Sequence, residues 1–142
     1  MIGKKYTIKN FEKEDITKEI SSYLSSRHEE IIMAYLYGSF VKEKTFSDID
    51  LALYSQMNIA KPLDFEFMIE NELEKIIKFP MDVRVINSAP LSFCQRVIYE
   101  GRLIIDKDPN HRADFEGKIL KKYFDFAIFH QRYLAEVQNA PI

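Results

Sequence analysis

The chain has 142 residues, of which 46% are hydrophobic and 30% charged, and its formal net charge is -2. This length suits one ordinary domain with a proper core. The weakly acidic balance lacks the basic footprint that dominates nucleic-acid affinity, so direct nucleic-acid binding is not expected. Because Cys94 is the only cysteine and no apolar run approaches the roughly 18 residues of a membrane span, we expect a cytoplasmic protein without disulfides, signal sequence or membrane contact.

The first third of the chain predicts a helix followed by two strands. Apolar residues recur at helical spacing over residues 13–27, with acidic residues near the amino end, where the helix dipole favours them. An apolar strand over residues 33–37 then leads into Gly38-Ser39 and a short helical or loop excursion. A second strand covers residues 48–54.

Helices and strands alternate in the remainder of the chain. The predicted segments are a helix over residues 62–78, a strand over 82–86, a helix over about 90–100 that ends at Gly101, a strand over 102–106 and a helix over about 110–137. This order predicts an α/β fold in which helices cover a mixed β-sheet. We expect a single domain over residues 1–142 with a long C-terminal helix.

Two aspartates lie on one face of the second predicted strand. Residues i and i+2 of a strand share a face, so Asp48 and Asp50 point one way while the apolar residues between and after them point into the core. Aspartate is disfavoured in strands, and two like charges this close repel each other unless a cation lies between them. Since Mg²⁺ prefers carboxylate and phosphate oxygens, the pattern predicts a divalent metal site.

Asp82 is the best candidate for a third carboxylate, because it opens the strand over residues 82–86 and faces away from Val83 and Val85. Two metal ions about 3.5–4 Å apart, bridged by such carboxylates, are the usual clamp for displacement at phosphorus. Each residue also has a simpler interpretation: Asp48 as a turn residue, Gly38 as a source of positive φ, and Asp82 as an ordinary strand start. The combination favours the metal site.

The Gly38-Ser39 turn, the spacer after it, Asp48-Ile49-Asp50 and the later Asp82 resemble the signature of the polymerase beta nucleotidyltransferase superfamily. The segment from Asp82 through Asn87-Ser88-Ala89-Pro90 to Glu100-Gly101-Arg102 is similar to the minimal nucleotidyltransferase (MNT) antitoxins that are paired with HEPN-domain ribonuclease toxins. The resemblance covers about residues 13–137. It implies the nucleotidyltransferase fold, with Gly38 and Ser39 binding the triphosphate of ATP and Asp48, Asp50 and Asp82 binding two Mg²⁺ ions.

The activity implied by this resemblance is protein adenylyltransfer. Such an antitoxin neutralises its cognate HEPN toxin by Mg²⁺-dependent transfer of AMP from ATP to a toxin hydroxyl, with tyrosine as the expected acceptor and Asp82 as the general base. A hetero-oligomer with the toxin is expected. Two alternatives remain: an inert antitoxin that masks the toxin, and a small-molecule nucleotidyltransferase, which usually carries a helical substrate domain for which this chain has no room.

The spacer between Ser39 and Asp48 departs from the family pattern. It has eight residues, Phe40 to Ser47, which is shorter than usual, and it lacks the Arg-Gly pair found there in the family. Lys42 and Lys44 are candidates for the cationic role toward the phosphates, with solvated lysines as the alternative. The short spacer is the feature that favours an inert antitoxin.

The predicted C-terminal helix carries apolar and aromatic residues on more than one face. This exceeds what a stripe against the sheet requires, so the helix is either deeply buried or a partner-binding element. The residues are Tyr123, Phe124, Phe126, Ile128, Phe129, Tyr133 and Leu134. The three histidines lack a cysteine or histidine at metal-ligand spacing, and none is expected to be catalytic.

Overall fold

The structure is a computed structural model that describes residues 4–139. In chain order the elements are β1 (Tyr6–Thr7), α1 (Asn10–Arg27), β2 (Ile31–Tyr37), α2 (Ser39–Lys42), β3 (Thr45–Phe46), β4 (Ile49–Ser55), α3 (Pro62–Ile77), β5 (Met81–Val85), α4 (Leu91–Glu100), β6 (Arg102–Asp106) and α5 (Pro109–Asn139).

The main sheet has the strand order β5-β4-β2-β6. Strands β4 and β5 are parallel, whereas β2 pairs antiparallel with both β4 and β6, which confirms the predicted mixed sheet. A second sheet joins β1 to β3. Sequence periodicity did not predict this pair, because strands of two residues are too short to show an alternating pattern.

Helices cover both faces of the main sheet. One face packs against α1 and α3 and contains the fully buried Ile49, Leu51 and Leu53, as predicted. The other face packs against α4 and α5 and contains Ala52. Because Asp50 lies two residues before Ala52 on the same strand, its carboxylate projects on the α4 and α5 face.

Glutamates of α3 cover the exposed edge of the sheet at β5. Glu66, Glu70 and Glu74, spaced by one helical turn, accept hydrogen bonds from the backbone N–H groups of Val85 (2.7 Å), Val83 (2.8 Å) and Met81 (2.9 Å). An edge strand otherwise presents unpaired N–H groups to other chains. These carboxylates therefore block strand addition and fix the position of β5.

The start of α1 differs from the sequence prediction, whereas the end of α4 agrees with it. Helix α1 begins at Asn10 rather than near residue 13, because the Glu12 carboxylate accepts a hydrogen bond from the Lys9 N–H (3.2 Å) and caps the earlier turn. Gly101 ends α4 as predicted, but its φ of -81° is not left-handed. Glycine is required there because a Cβ would overlap the carbonyl oxygen of Val97 and lie 3.2 Å from that of Leu36.

Polar contacts hold the first third of α5 against the sheet. The Tyr35 hydroxyl donates to Glu116 (2.8 Å), Arg112 donates to Asp106 (2.9 Å), and His111 lies 3.0 Å from the Tyr54 hydroxyl. A helix of 31 residues is about 46 Å long, roughly twice the length of a seven-residue strand. The rest of α5 consequently extends past the sheet.

The second half of α5 exposes its aromatic residues. No residue of α5 is fully buried, so the deeply buried alternative for this helix was wrong. The exposed fractions reach 63% for Phe124 and 71% for Phe129, and the other exposed apolar residues are Phe126, Tyr133, Leu134 and Val137. Within residues 4–139 no helix combines the length and apolarity that crossing a membrane requires.

The glutamate cover of β5 predicts a stability difference between two substitutions of one residue. Glu70→Ala leaves the Val83 N–H without its acceptor and should lower the free energy of unfolding by about 1 kcal/mol. Glu70→Gln keeps an acceptor oxygen and should be close to the wild type. Urea denaturation measures both, with Glu19→Ala on the exposed face of α1 as the matched control; equal losses for the two Glu70 variants would contradict the assigned hydrogen bond.

Candidate active site

A tight turn joins β2 to α2 at Gly38. Its φ of 77° lies in the region that residues with a side chain rarely adopt, and a Cβ at this position would overlap the carboxylate of Asp50. Glycine is therefore required at residue 38, both because φ is positive and because the Asp50 carboxylate occupies the space of a Cβ. Phe40, which is buried in the core, holds the following turn of α2 in place.

The three predicted carboxylates converge beside this turn. Asp50 lies in β4 and pairs in register with Asp82 of the parallel strand β5, while Asp48 lies one residue before β4. Each carboxylate offers an oxygen, and these oxygens lie within 4.8 Å of one another. The sequence prediction had placed Asp48 inside the strand, but the one-residue difference keeps its side chain in the cluster.

Burial and mutual repulsion favour a protonated carboxyl group in this cluster. The pKa of Asp50 is raised to about 7, first by burial and then by the negative charges of Asp48 and Asp82. Burial and the charge of Asp82 also raise the pKa of Asp48, although Lys5 opposes this. A hard divalent cation would relieve this repulsion and find the oxygen ligands that it prefers. The donor set thus fits a Mg²⁺ site.

Two arginines near the carboxylates were not predicted from the sequence. The Arg84 Nε donates to Asp82 Oδ1 (3.1 Å). The guanidinium of Arg96 lies over the ring of Tyr37, 5.8 Å from its centroid, and its charge lowers the pKa of Asp50. Arg84 follows Asp82 by two residues in a strand, so the same-face rule would have found it. Arg96 comes from α4, and only the tertiary packing brings it to the site.

The predicted nucleotide-binding residues lie in the turn after β2 and in α2: Gly38 in the turn, Ser39 at the start of the helix and Lys42 at its end. Ser39 opens α2, where the first backbone N–H groups have no acceptor within the helix. The ammonium of Lys42 forms an ion pair with Glu100 of α4 (3.0 Å). Lys42 therefore links α2 to α4, and a role toward phosphates would require it to exchange this partner.

Comparison with known proteins places the chain in a family. The family model described as "Polymerase beta, Nucleotidyltransferase" matches residues 18–110. No curated protein sequence matches the chain significantly.

Known structures share the fold along nearly their whole length. A toxin–antitoxin complex MntA-HepT has a TM-score of 0.68 at 18% identity, with 88% of this chain and 98% of that chain covered. A structure of a tri-AMPylated Shewanella oneidensis HEPN toxin in complex with an MNT antitoxin has a TM-score of 0.70 at 19% identity. The match covers 89% of this chain and 98% of that chain. A toxin–antitoxin structure with AMP-PNP has a TM-score of 0.70 at 19% identity, and the match covers 86% of this chain and 98% of that chain. At these identities the similarity establishes the fold.

The raised pKa of Asp50 predicts a pH dependence of stability in the metal-free protein. Because the folded state holds this proton up to about pH 7 and an ordinary aspartate releases it near 3.8, the stabilisation by protonated Asp50 is complete below pH 3.8 and is lost as pH rises through about 7. Asp50→Asn should therefore melt at a higher temperature than the wild type at pH 8, and show little advantage at pH 4.

Thermal melts with EDTA and with Mg²⁺ check this prediction. Mg²⁺ should raise the melting temperature of the wild type at pH 8 and leave Asp50→Asn nearly unchanged. Asp15→Asn on α1 is the control for loss of one exposed carboxylate. A wild type that melts at the same temperature as Asp50→Asn at pH 8 in EDTA would contradict the assigned repulsion.

Proposed function

The chain belongs to the polymerase beta nucleotidyltransferase family, and on that basis we infer the following activity. It is an antitoxin that transfers AMP from ATP to a hydroxyl of a cognate HEPN ribonuclease toxin. The observation that carries the proposal is the convergence of Asp48, Asp50 and Asp82 beside the Gly38 turn. It is supported by the shared fold of an MNT antitoxin that was crystallised with a tri-AMPylated HEPN toxin.

Each predicted site residue has a role in this proposal. Asp48, Asp50 and Asp82 would hold two Mg²⁺ ions, which would supply charge neutralisation and orient the triphosphate. Backbone N–H groups at Gly38 and Ser39 contact the phosphates. Lys42 is a further nucleotide-binding candidate once its contact with Glu100 is released.

The transfer is a displacement at the α-phosphorus of ATP. The acceptor oxygen forms a bond to this phosphorus, and the bond from phosphorus to the oxygen that bridges to the β-phosphate breaks. Pyrophosphate leaves with that electron pair, and the hydroxyl proton passes to Asp82 as general base. This chemistry depends on positioning and charge more than on covalent catalysis by the protein, and a cluster of fixed carboxylates is suited to it.

The exposed half of α5 is the surface that we assign to the toxin. A row of exposed aromatic side chains is typical of protein interfaces, where such residues are enriched. Helix α5 packs on the same face of the sheet that carries Asp50, so in this proposal the toxin presents its acceptor hydroxyl on that face. In this proposal residues 1–142 act as one nucleotidyltransferase domain with α5 as its partner-binding element, and both proteins act in the cytoplasm.

Labelled ATP tests the transfer directly. The protein is incubated with Mg²⁺, ATP labelled at the α-phosphate and the HEPN protein that is tested as its cognate toxin. Label should appear on the toxin and ribonuclease activity should fall, whereas ATP labelled at the γ-phosphate should give no label. Asp48→Ala and Asp50→Ala should abolish labelling, and Asp15→Ala, which removes an exposed carboxylate on α1, should not.

The two alternative functions give different results in the same experiment. Neutralisation of the toxin by Asp48→Ala and Asp50→Ala without any label would identify an inert masking antitoxin. Absence of both label and neutralisation would favour a small-molecule nucleotidyltransferase.

Substitution in α5 tests the assigned toxin surface. The double variant Phe129→Ser/Tyr133→Ser should weaken binding to the toxin by at least about tenfold, because exposed aromatic residues often carry much of the interface energy. Its melting temperature should not fall, since both side chains are more than half exposed. Phe11→Ser, which removes an aromatic residue of 62% exposure from α1, is the matched control. Titration calorimetry that found unchanged affinity would exclude this surface.

A further inference from the structure

Arg96 occupies a position that the packing of α4 on β2 determines. The ring of Tyr37 makes an edge-to-face contact with Phe93 (5.6 Å between centroids) and lies beneath the guanidinium of Arg96 at 5.8 Å. Phe93 and Arg96 are three residues apart and so share a face of α4. Tyr37 immediately precedes Gly38 and pairs with Asp50 across the strands. This packing holds the positive charge of Arg96 beside both the Gly38 turn and the carboxylates.

Arg96 differs from Arg84 and Lys42 in having no anionic partner. Arg84 is paired with Asp82, and Lys42 with Glu100. Within residues 4–139, the guanidinium of Arg96 makes no ion pair and no hydrogen bond that satisfies ordinary geometry. Its five N–H donors are therefore available to a ligand.

The proposed complex of the protein, ATP and two Mg²⁺ ions has an excess of negative charge that a further cation would reduce. Three carboxylates and a triphosphate carry more negative charge than two divalent ions neutralise, and departure of pyrophosphate concentrates charge at the β- and γ-phosphates. The spacer after Ser39 has no arginine, and Lys42 is held by Glu100. A planar guanidinium matches phosphate oxygens in a bidentate arrangement better than an ammonium does.

We propose that Arg96 binds the β- and γ-phosphates of ATP and the departing pyrophosphate. The inference rests on the proposed use of ATP at this site, but it concerns nucleotide binding alone. It assigns Arg96 to the leaving-group side and leaves Arg84, through its contact with Asp82, on the acceptor side.

The test compares nucleotide and metal binding in three variants of the full chain. With Mg²⁺ present, Arg96→Gln should weaken binding of AMP-PNP, and competition by inorganic pyrophosphate, by about 10-fold or more, the usual effect of losing charged hydrogen bonds. Arg96→Lys should recover part of this loss. Binding of Mn²⁺ alone should not weaken, since Arg96 is not a metal ligand. Arg27→Gln, which removes an exposed arginine at the end of α1, should match the wild type.

Other outcomes overturn the inference in distinguishable ways. Unchanged AMP-PNP affinity in Arg96→Gln, or a parallel loss of Mn²⁺ binding, would mean that Arg96 does not contact the phosphates. A wild-type protein that binds no AMP-PNP would overturn both this inference and the proposed activity. A wild type that binds AMP-PNP through Arg96 but transfers no label to the toxin would overturn only the proposed activity.

Discussion

The geometry of the site depends on one close approach between two strands. Gly38 follows the last residue of β2, and the carboxylate of Asp50 occupies the space where a Cβ of residue 38 would be. This allows the chain to turn into α2 directly beside the Asp50 carboxylate. Any side chain at residue 38 would displace Asp50 and strain the turn together.

The register of the sheet places the third carboxylate, that of Asp82, beside Asp50. Asp50 and Asp82 are paired across parallel strands, and the crossover from β4 to β5 through α3 fixes that register. The glutamates of α3 that accept hydrogen bonds from β5 hold the edge strand in place. A structural contact at the edge of the sheet therefore maintains the spacing of the charged groups on one of its faces.

Much of this arrangement follows from sequence patterns because it depends on local periodicity. The alternation around Asp50 predicts which side chains are buried, and the apolar spacing predicts the four longer helices, because burial imposes these patterns directly. The β1–β3 pair and the position of Arg96 depend on which surfaces meet in three dimensions. The local sequence pattern does not contain this information, so neither feature could be predicted from it. Lys42 illustrates the same limit: its charge suggested a phosphate contact, whereas its neighbour Glu100 is 58 residues away in sequence.

The same clustering that suits the site to metal and nucleotide makes it unfavourable when empty. Burial and repulsion raise the pKa of Asp50, and Arg96 offsets only part of the unfavourable interaction. A fold can retain such a cluster only if the surrounding core supplies enough stability, and here Ile49, Leu51 and Leu53 of the same strand are fully buried. Strand β4 thus has buried, strongly stabilising apolar residues on one face and the destabilising Asp50 on the other. A cation held by these carboxylates would relieve their repulsion, so occupancy of the site and stability of the fold should increase together.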